Sequence, residues 1–291
     1  MSLSQLILLF AAITTAGFIR SASASLILYE GFDYSAGTIN GSQNTGTGFN
    51  GAWNASGSNI LAVESSGLTF PGLTVTGGSV ARPTPSGNSE MNRALTSGSI
   101  MNLTSGTIYF STLIRANNIS GNANAGLVFG TDLVDASQEP LGVTSGGSQE
   151  GFGFSIENRA LYAIGFDDGA SLKSSGSLSV SLNTTEATTT FMIVGQIDWG
   201  ATDNLTLYNI SDVTAPLPAS FATVSGSLDE SAFDTLALGD RQISSIDEIR
   251  FGTTLAAVGI IPEPSSLALL CFGGLALIMR RREWGIPQAH R

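Results

Sequence analysis

Thr107-Ile108-Tyr109-Phe110-Ser111-Thr112-Leu113-Ile114-Arg115-Ala116 is the stretch whose reading decides the fold class. β-Branched and aromatic residues crowd it, and neither glycine nor proline interrupts it. On a strand, successive side chains point to opposite faces. Ile108, Phe110, Thr112 and Ile114 then share one face, and Tyr109, Ser111, Leu113 and Arg115 share the other. Asn204–Ile210 repeats the pattern, with Leu205, Leu207 and Asn209 opposing Thr206, Tyr208 and Ile210. Outward from these two, further strands are predicted at Leu26–Glu30, Ile60–Val63, Gly67–Phe70, Ala125–Phe129, Phe152–Ile156, Leu161–Phe166, Thr190–Ile197, Ala222–Val224 and Ile246–Phe251. The intervening chain is rich in Gly, Ser, Thr and Asn, and no stretch of residues 25–258 sustains a helical period. Many short strands with short turns predict an all-β protein built as an antiparallel two-sheet sandwich.

The punctuation is legible. Asp167-Asp168-Gly169 predicts a hairpin, because an Asp-Gly pair readily takes the positive φ such a turn needs. Asp198-Trp199-Gly200-Ala201-Thr202-Asp203 predicts a longer hairpin loop. Gly37–Gly57, around Phe49 and Trp53, and Pro83–Ser99 read as surface loops.

Composition narrows the chemistry. Residues 25–261 contain no cysteine and no histidine, since Cys271 and His290 lie beyond them. That removes a disulfide framework, Ser-His-Asp and Cys-His catalysis and histidine-bearing zinc sites. The same residues carry seven basic and 21 acidic side chains, a net charge of −14. An acidic, sparsely charged exterior argues against nucleic acid and against anionic lipid surfaces. Glycoside hydrolysis needs two carboxylates on one sugar bond, about 5–9.5 Å apart. The adjacent pair Asp247-Glu248 points to opposite faces of a regular strand, as do Asp167-Asp168 and Asp229-Glu230, so no catalytic residue is assigned. No cofactor is expected. Calcium is the one candidate ion, with Asp198 and Asp203 as turn-loop carboxylates that would supply oxygens. Trp53 and Trp199 sit in Gly-rich loops and are the candidate sugar-stacking rings, weighed against rings folded back onto the sandwich edge.

Both ends carry targeting features. Leu6–Phe18 is apolar and Ala22-Ser23-Ala24 supplies the small residues of an A-x-A cleavage site, which predicts a signal helix removed after Ala24. At the other end, Ile261-Pro262-Glu263-Pro264-Ser265 is held extended by its prolines. Ser265–Met279 follows without charge over 15 residues. A perpendicular span needs ~20, and arginine snorkelling with local thinning would close the difference. Arg280-Arg281-Arg282 then stops the run and prefers the cytoplasmic face. Pro262-Glu263-Pro264, a short transmembrane helix and the arginine stop together resemble the bacterial PEP-CTERM sorting signal. The resemblance implies recognition by a membrane exosortase. Residues 283–291 extend past the point where such signals usually end.

A second resemblance lies in the middle. Tyr29-Glu30-Gly31-Phe32-Asp33-Tyr34 is similar to the opening of many secreted PEP-CTERM proteins. Ile197-Asp198-Trp199-Gly200, Asp203–Tyr208 and Ile246–Gly252 resemble laminin-G-like, concanavalin A-like sandwiches. That likeness implies a jelly roll in which the closing strand pairs with the opening one. It implies no activity, because one fold hosts many functions. Hydrolases of that class set acids at alternate positions of one strand, which this chain does not do.

The expected organisation is a signal peptide at 1–24, a β-sandwich ectodomain at 25–258 and a sorting signal at 259–291. The expected function is that of a non-catalytic surface or extracellular-matrix protein, secreted through the inner membrane and anchored there before release. A carbohydrate-binding module for exopolysaccharide and a glycoside hydrolase on the same fold are the alternatives.

Overall fold

The computed structural model describes residues 25–57, 60–81, 83, 89–96, 106–118, 124–131, 150–157, 160–167, 170–174, 176–179, 189–240 and 243–261. The expected signal helix with Ala22 and Ala24, the motif Pro262, Glu263 and Pro264, the expected membrane helix and Arg280, Arg281 and Arg282 lie outside the described residues. Among the described residues, no helix is long and apolar enough to cross a membrane.

The first strands are β1 (Leu26–Glu30), β2 (Gly37–Thr38), β3 (Asn54–Gly57), β4 (Ala62–Val63), β5 (Val80–Ala81), β6 (Ser89–Ala94), β7 (Gly106–Asn118) and β8 (Asn124–Gly130). They are followed by β9 (Gly151–Glu157), β10 (Ala160–Asp167), β11 (Ala170–Lys173), β12 (Leu178–Ser179), β13 (Phe191–Trp199), β14 (Asp203–Ile210), β15 (Ala222–Gly226), β16 (Thr235–Asp240) and β17 (Ile243–Gly252). One sheet has the order β15-β14-β13-β7-β17-β5-β4-β2, with β1 also paired to β17. The other runs β11-β10-β9-β8-β16-β6-β3, with β12 on β10. All pairings are antiparallel.

The alternation that predicted β7 sets its packing. Ile108, Phe110 and Ile114 face the core between the sheets, and Leu113 faces outward. Phe110, Phe129 and Phe251 form a mutually contacting aromatic group with centroids 5.0–5.9 Å apart. Such pairs contribute about 0.5–1.5 kcal/mol each beyond their buried area. Gly195 lies opposite Phe110 on β13. A Cβ there would meet the ring at 2.0 Å, so only glycine lets the phenyl lie over the neighbouring strand.

The first sheet is also covered on part of its outer face. Leu68, Leu113, Met192, Val194, Ile210, Val213 and Ile260 make a second core there. Gly67–Phe70, expected as a strand, is instead part of the loop that supplies this cover. The packed chain also passes the expected boundary at 258: Val258 and Ile260 are fully buried, and the N–H of Ile261 donates to the Val213 carbonyl at 2.8 Å.

Strands β3 and β6 occupy segments expected to be surface loops, and β16 was not anticipated. β6 reads Ser-Glu-Met-Asn-Arg-Ala, and its polar residues conceal it. Ser89, Glu90, Met91 and Arg93 are all buried.

Candidate functional site

The described carboxylates that come together do so at the seam between the opening and closing strands. β1 and β17 pair with Tyr29 opposite Arg250 and Glu30 opposite Ile249. Against β7, the register of β17 shifts between Asp247 and Arg250, and Glu248 takes φ 53°. This bulge breaks the alternation of the strand. Asp247 and Glu248, expected on opposite faces, therefore both reach the same loop. Asp247 Oδ2 accepts the N–H of Leu68 at 2.8 Å, and its Oδ1 accepts that of Glu248 at 2.7 Å. Glu248 Oε1 accepts the N–H of Thr76 at 2.6 Å and the Tyr29 hydroxyl at 3.0 Å. Its Oε2 takes two donors from Arg250, at 3.1 and 2.6 Å.

Glu30 completes the group. It accepts from the N–H of Phe32 (2.9 Å), the Tyr34 hydroxyl (2.8 Å), Trp53 Nε1 (2.8 Å) and Arg93 Nη1 (2.7 Å). Arg93 stands on β6 of the other sheet and also donates to the carbonyls of Thr45 and Gly51. Burial pushes the Glu30 carboxyl up, against the pull of those four donors. Burial, with the neighbouring Glu248 and Glu30 charges, outweighs two backbone donors at Asp247 and raises it to about 8. Glu30, Asp247 and Glu248 are at most 1% exposed, and every oxygen named is engaged within the protein. The arrangement ties β1, β17 and β6 together and turns no oxygen outward.

Trp53 and Trp199 are not exposed platforms. Trp53 is 0% exposed, stacked on Phe32 and donating to Glu30. Trp199 is 5% exposed and lies between Phe152 and Phe233. Each ring buries too much area to be left in a loop, and both fold onto the sandwich. Asp198 and Asp203 are not brought together either. Asp203 points inward, accepting from the N–H groups of Gly200 and Leu228. Asp198 points outward, accepting from Thr107 Oγ1 and Gln196 Nε2. Among the described residues, no three His, Cys, Asp or Glu side chains group to hold a metal ion.

The open chemistry lies on the outer face of the first sheet. On β7, β13 and β14 alike, the outward residues change from apolar to polar along the strand. Leu113, Met192 and Ile210 are buried in the second core, whereas Tyr109, Gln196 and Thr206 are half-buried and uncovered. Strand register places them in rows. Thr107, Asp198, Asn204 and Ser225 form one row, and Tyr109, Gln196, Thr206 and Thr223 the next. Tyr208 stands one step further along β14, its hydroxyl 3.4 Å from Gln196 Oε1. Burial, then the Asp198 carboxylate, pushes the Tyr109 and Tyr208 phenols above their ordinary value, so both remain neutral donors. Alternation predicted which of these residues share a face. Nothing in the sequence marked that half of that face would stay open.

Comparison with known proteins gives a family match at the C-terminus alone. Residues 261–282 match the PEP-CTERM protein-sorting motif. No curated protein matches the sequence. Among solved structures, a protein of unknown function from Shewanella oneidensis MR-1 is 13% identical with a TM-score of 0.45, covering 87% of this chain and 96% of that one. A carbohydrate esterase from the Shiga toxin-encoding bacteriophage phi24B is 12% identical with a TM-score of 0.46, covering 79% and 99%. The binding domain of botulinum neurotoxin serotype C1 is 12% identical with a TM-score of 0.46, covering 81% and 51%, so the chain spans about half its length. None of these structural likenesses carries a function to this chain. Residues 261–282 thus carry a PEP-CTERM sorting motif, which implies export and exosortase-dependent sorting of a surface protein.

Proposed function

We propose that the protein is a non-catalytic cell-surface or extracellular-matrix component. It is exported through the inner membrane, cleaved behind Ala24 and held by its C-terminal segment. An exosortase then processes it at or near Pro262-Glu263-Pro264 and releases it into, or onto, extracellular polymer. The observation that carries this reading is the sorting motif itself, matched over residues 261–282. Two features support it. Ile261, immediately before Pro262, donates its N–H to the Val213 carbonyl, and the Ser25 carbonyl, just after the expected signal cleavage, accepts the N–H of Thr253. Packing thus reaches the residues immediately inside both expected processing points. The non-catalytic part of the reading is supported by the burial of Glu30, Asp247 and Glu248, whose oxygens are already engaged. The two-sheet layout and the β1–β17 closure suit a jelly roll of concanavalin A-like type.

Replacing Glu263 and Pro264 with alanine tests the proposal. The variant should accumulate as a full-length, membrane-retained form. Wild-type mass and location in that variant would end the sorting reading.

A further inference from the structure

We infer that residues 67–76 form a strap that opens as one unit, that opening releases the Asp247 proton, and that residues 255–261 loosen with it. The inference goes beyond sorting and concerns the folded body alone.

The first observation is how the strap is held. Residues 67–76 carry no charged side chain. Among the described residues they join no strand, and their one backbone–backbone hydrogen bond is internal, from the N–H of Leu73 to the Phe70 carbonyl. Three side chains of β17 supply the polar ties. Asp247 Oδ2 accepts the N–H of Leu68 at 2.8 Å, Glu248 Oε1 accepts that of Thr76 at 2.6 Å, and Arg250 Nη2 donates to the Thr74 carbonyl at 2.7 Å. The Tyr29 hydroxyl, on the paired strand β1, lies 2.5 Å from Thr76 Oγ1. A segment tied at one bulge, with no ladder along its length, opens without the sheets beneath it.

The second observation is charge. Glu30 is paired with Arg93, and Glu248 with Arg250. Asp247 accepts two backbone N–H groups and, among the described residues, binds no basic side chain. The other titratable or charged groups around it are Tyr29 on β1, Arg115 on β7 and Glu64 at the foot of the strap, and Arg115 turns to Glu64 and Ser245. An ionised Asp247 would thus stand buried beside two carboxylates without a cation of its own. The strap lies directly on this carboxyl, since a Cβ on Gly67 would sit 2.8 Å from Asp247 Oδ2. The closed strap therefore keeps the acid protonated, with burial foremost in raising it to about 8. Opening admits water and returns the group toward its ordinary 3.8.

The third observation is shared cover. Leu68, Phe70, Leu73 and Val75 of the strap pack in the outer core with Leu255 and Ile260. A Cβ on Gly259 would meet Leu73 Cδ1 at 2.5 Å and Arg250 Nη1 at 3.2 Å, so strap and C-terminal segment touch closely. Lifting one uncovers the other.

Hydrogen exchange of the full chain in detergent tests this, read at single amides from about pH 5 to 9 and corrected for the intrinsic pH dependence of exchange. The opening constant at the Leu68 and Thr76 amides should rise by up to about tenfold per pH unit and level off above about 8. The Ile260 and Ile261 amides should follow it, while those of β7 and β13 stay slow. Asp247→Asn should flatten the rise. Glu64→Gln, whose carboxyl is half-exposed at the foot of the strap, should leave it unchanged. A flat response in the unaltered protein, an undiminished rise in Asp247→Asn, or strap amides that open only together with β7 would overturn the inference. Ile260 and Ile261 staying protected while the strap opens would overturn the coupling to the C-terminal segment.

Discussion

At the scale of single residues, the buried acids set the stability of the sandwich. Arg93 and Glu30 are 2% and 1% exposed, so removing one leaves the other as an uncompensated buried charge. Arg93→Ala should cost about 3–5 kcal/mol in urea unfolding. Arg115–Glu64 is the contrasting pair, at 3.5 Å with side chains 30% and 37% exposed. Arg115→Ala should cost under ~1 kcal/mol. Asp247 predicts a pH dependence. Its folded value lies near 8 against an ordinary 3.8, so between those values the folded state keeps a proton that the unfolded chain has released. Its contribution is present in full below pH 3.8 and is lost as pH rises through about 8. The thermal midpoint should fall across that window, and the fall should be shallower in Asp247→Asn. Glu30, also raised, adds the same sign. An equal slope in the Asp247 variant would show that this carboxyl is ionised in the fold.

At the scale of elements, regular alternation was readable and its interruptions were not. β1, β7 and β14 follow from their patterns to within a residue or two. β6 does not, because Arg93 is buried by an ion pair with Glu30, on a strand 63 residues away in sequence. Strict alternation sets Asp247 and Glu248 on opposite faces, and the bulge, marked by positive φ on a glutamate, reverses that. The Gly-rich sequence around Trp53 and Trp199 permits exposed rings, and tertiary packing removes that alternative. The C-terminal segment supplies its own test. Gly259 has φ 91°, and a Cβ there would meet Leu73 Cδ1 at 2.5 Å. Gly259→Ala should therefore cost at least the ~1–2 kcal/mol of the left-handed conformation. Ending the chain at Gly252 removes Val258 and Ile260, each worth about 2 kcal/mol of burial. That truncation should melt well below one ending at Ile261 and should bind a hydrophobic dye. Equal melting points would show that the outer core contributes nothing.

At the scale of the whole molecule, two strands far apart in sequence close the sandwich, and the packing reaches the first residue of the sorting motif. Ile261 is pinned to Val213, and Pro262 follows with no spacer. On the proposed route, processing at Pro262-Glu263-Pro264 would leave the product with the segment that covers the outer core. Destination was legible in the sequence because the motif is local. The open sheet face was not, because its boundary depends on which loops fold over it. The most direct measurement is the intact mass of the mature protein recovered from its own host. The expected chain begins at Ser25 and ends within or next to Pro262-Glu263-Pro264, with any attached polymer adding mass at that end. A mature chain that still runs through Arg280-Arg281-Arg282 to Arg291 would contradict it.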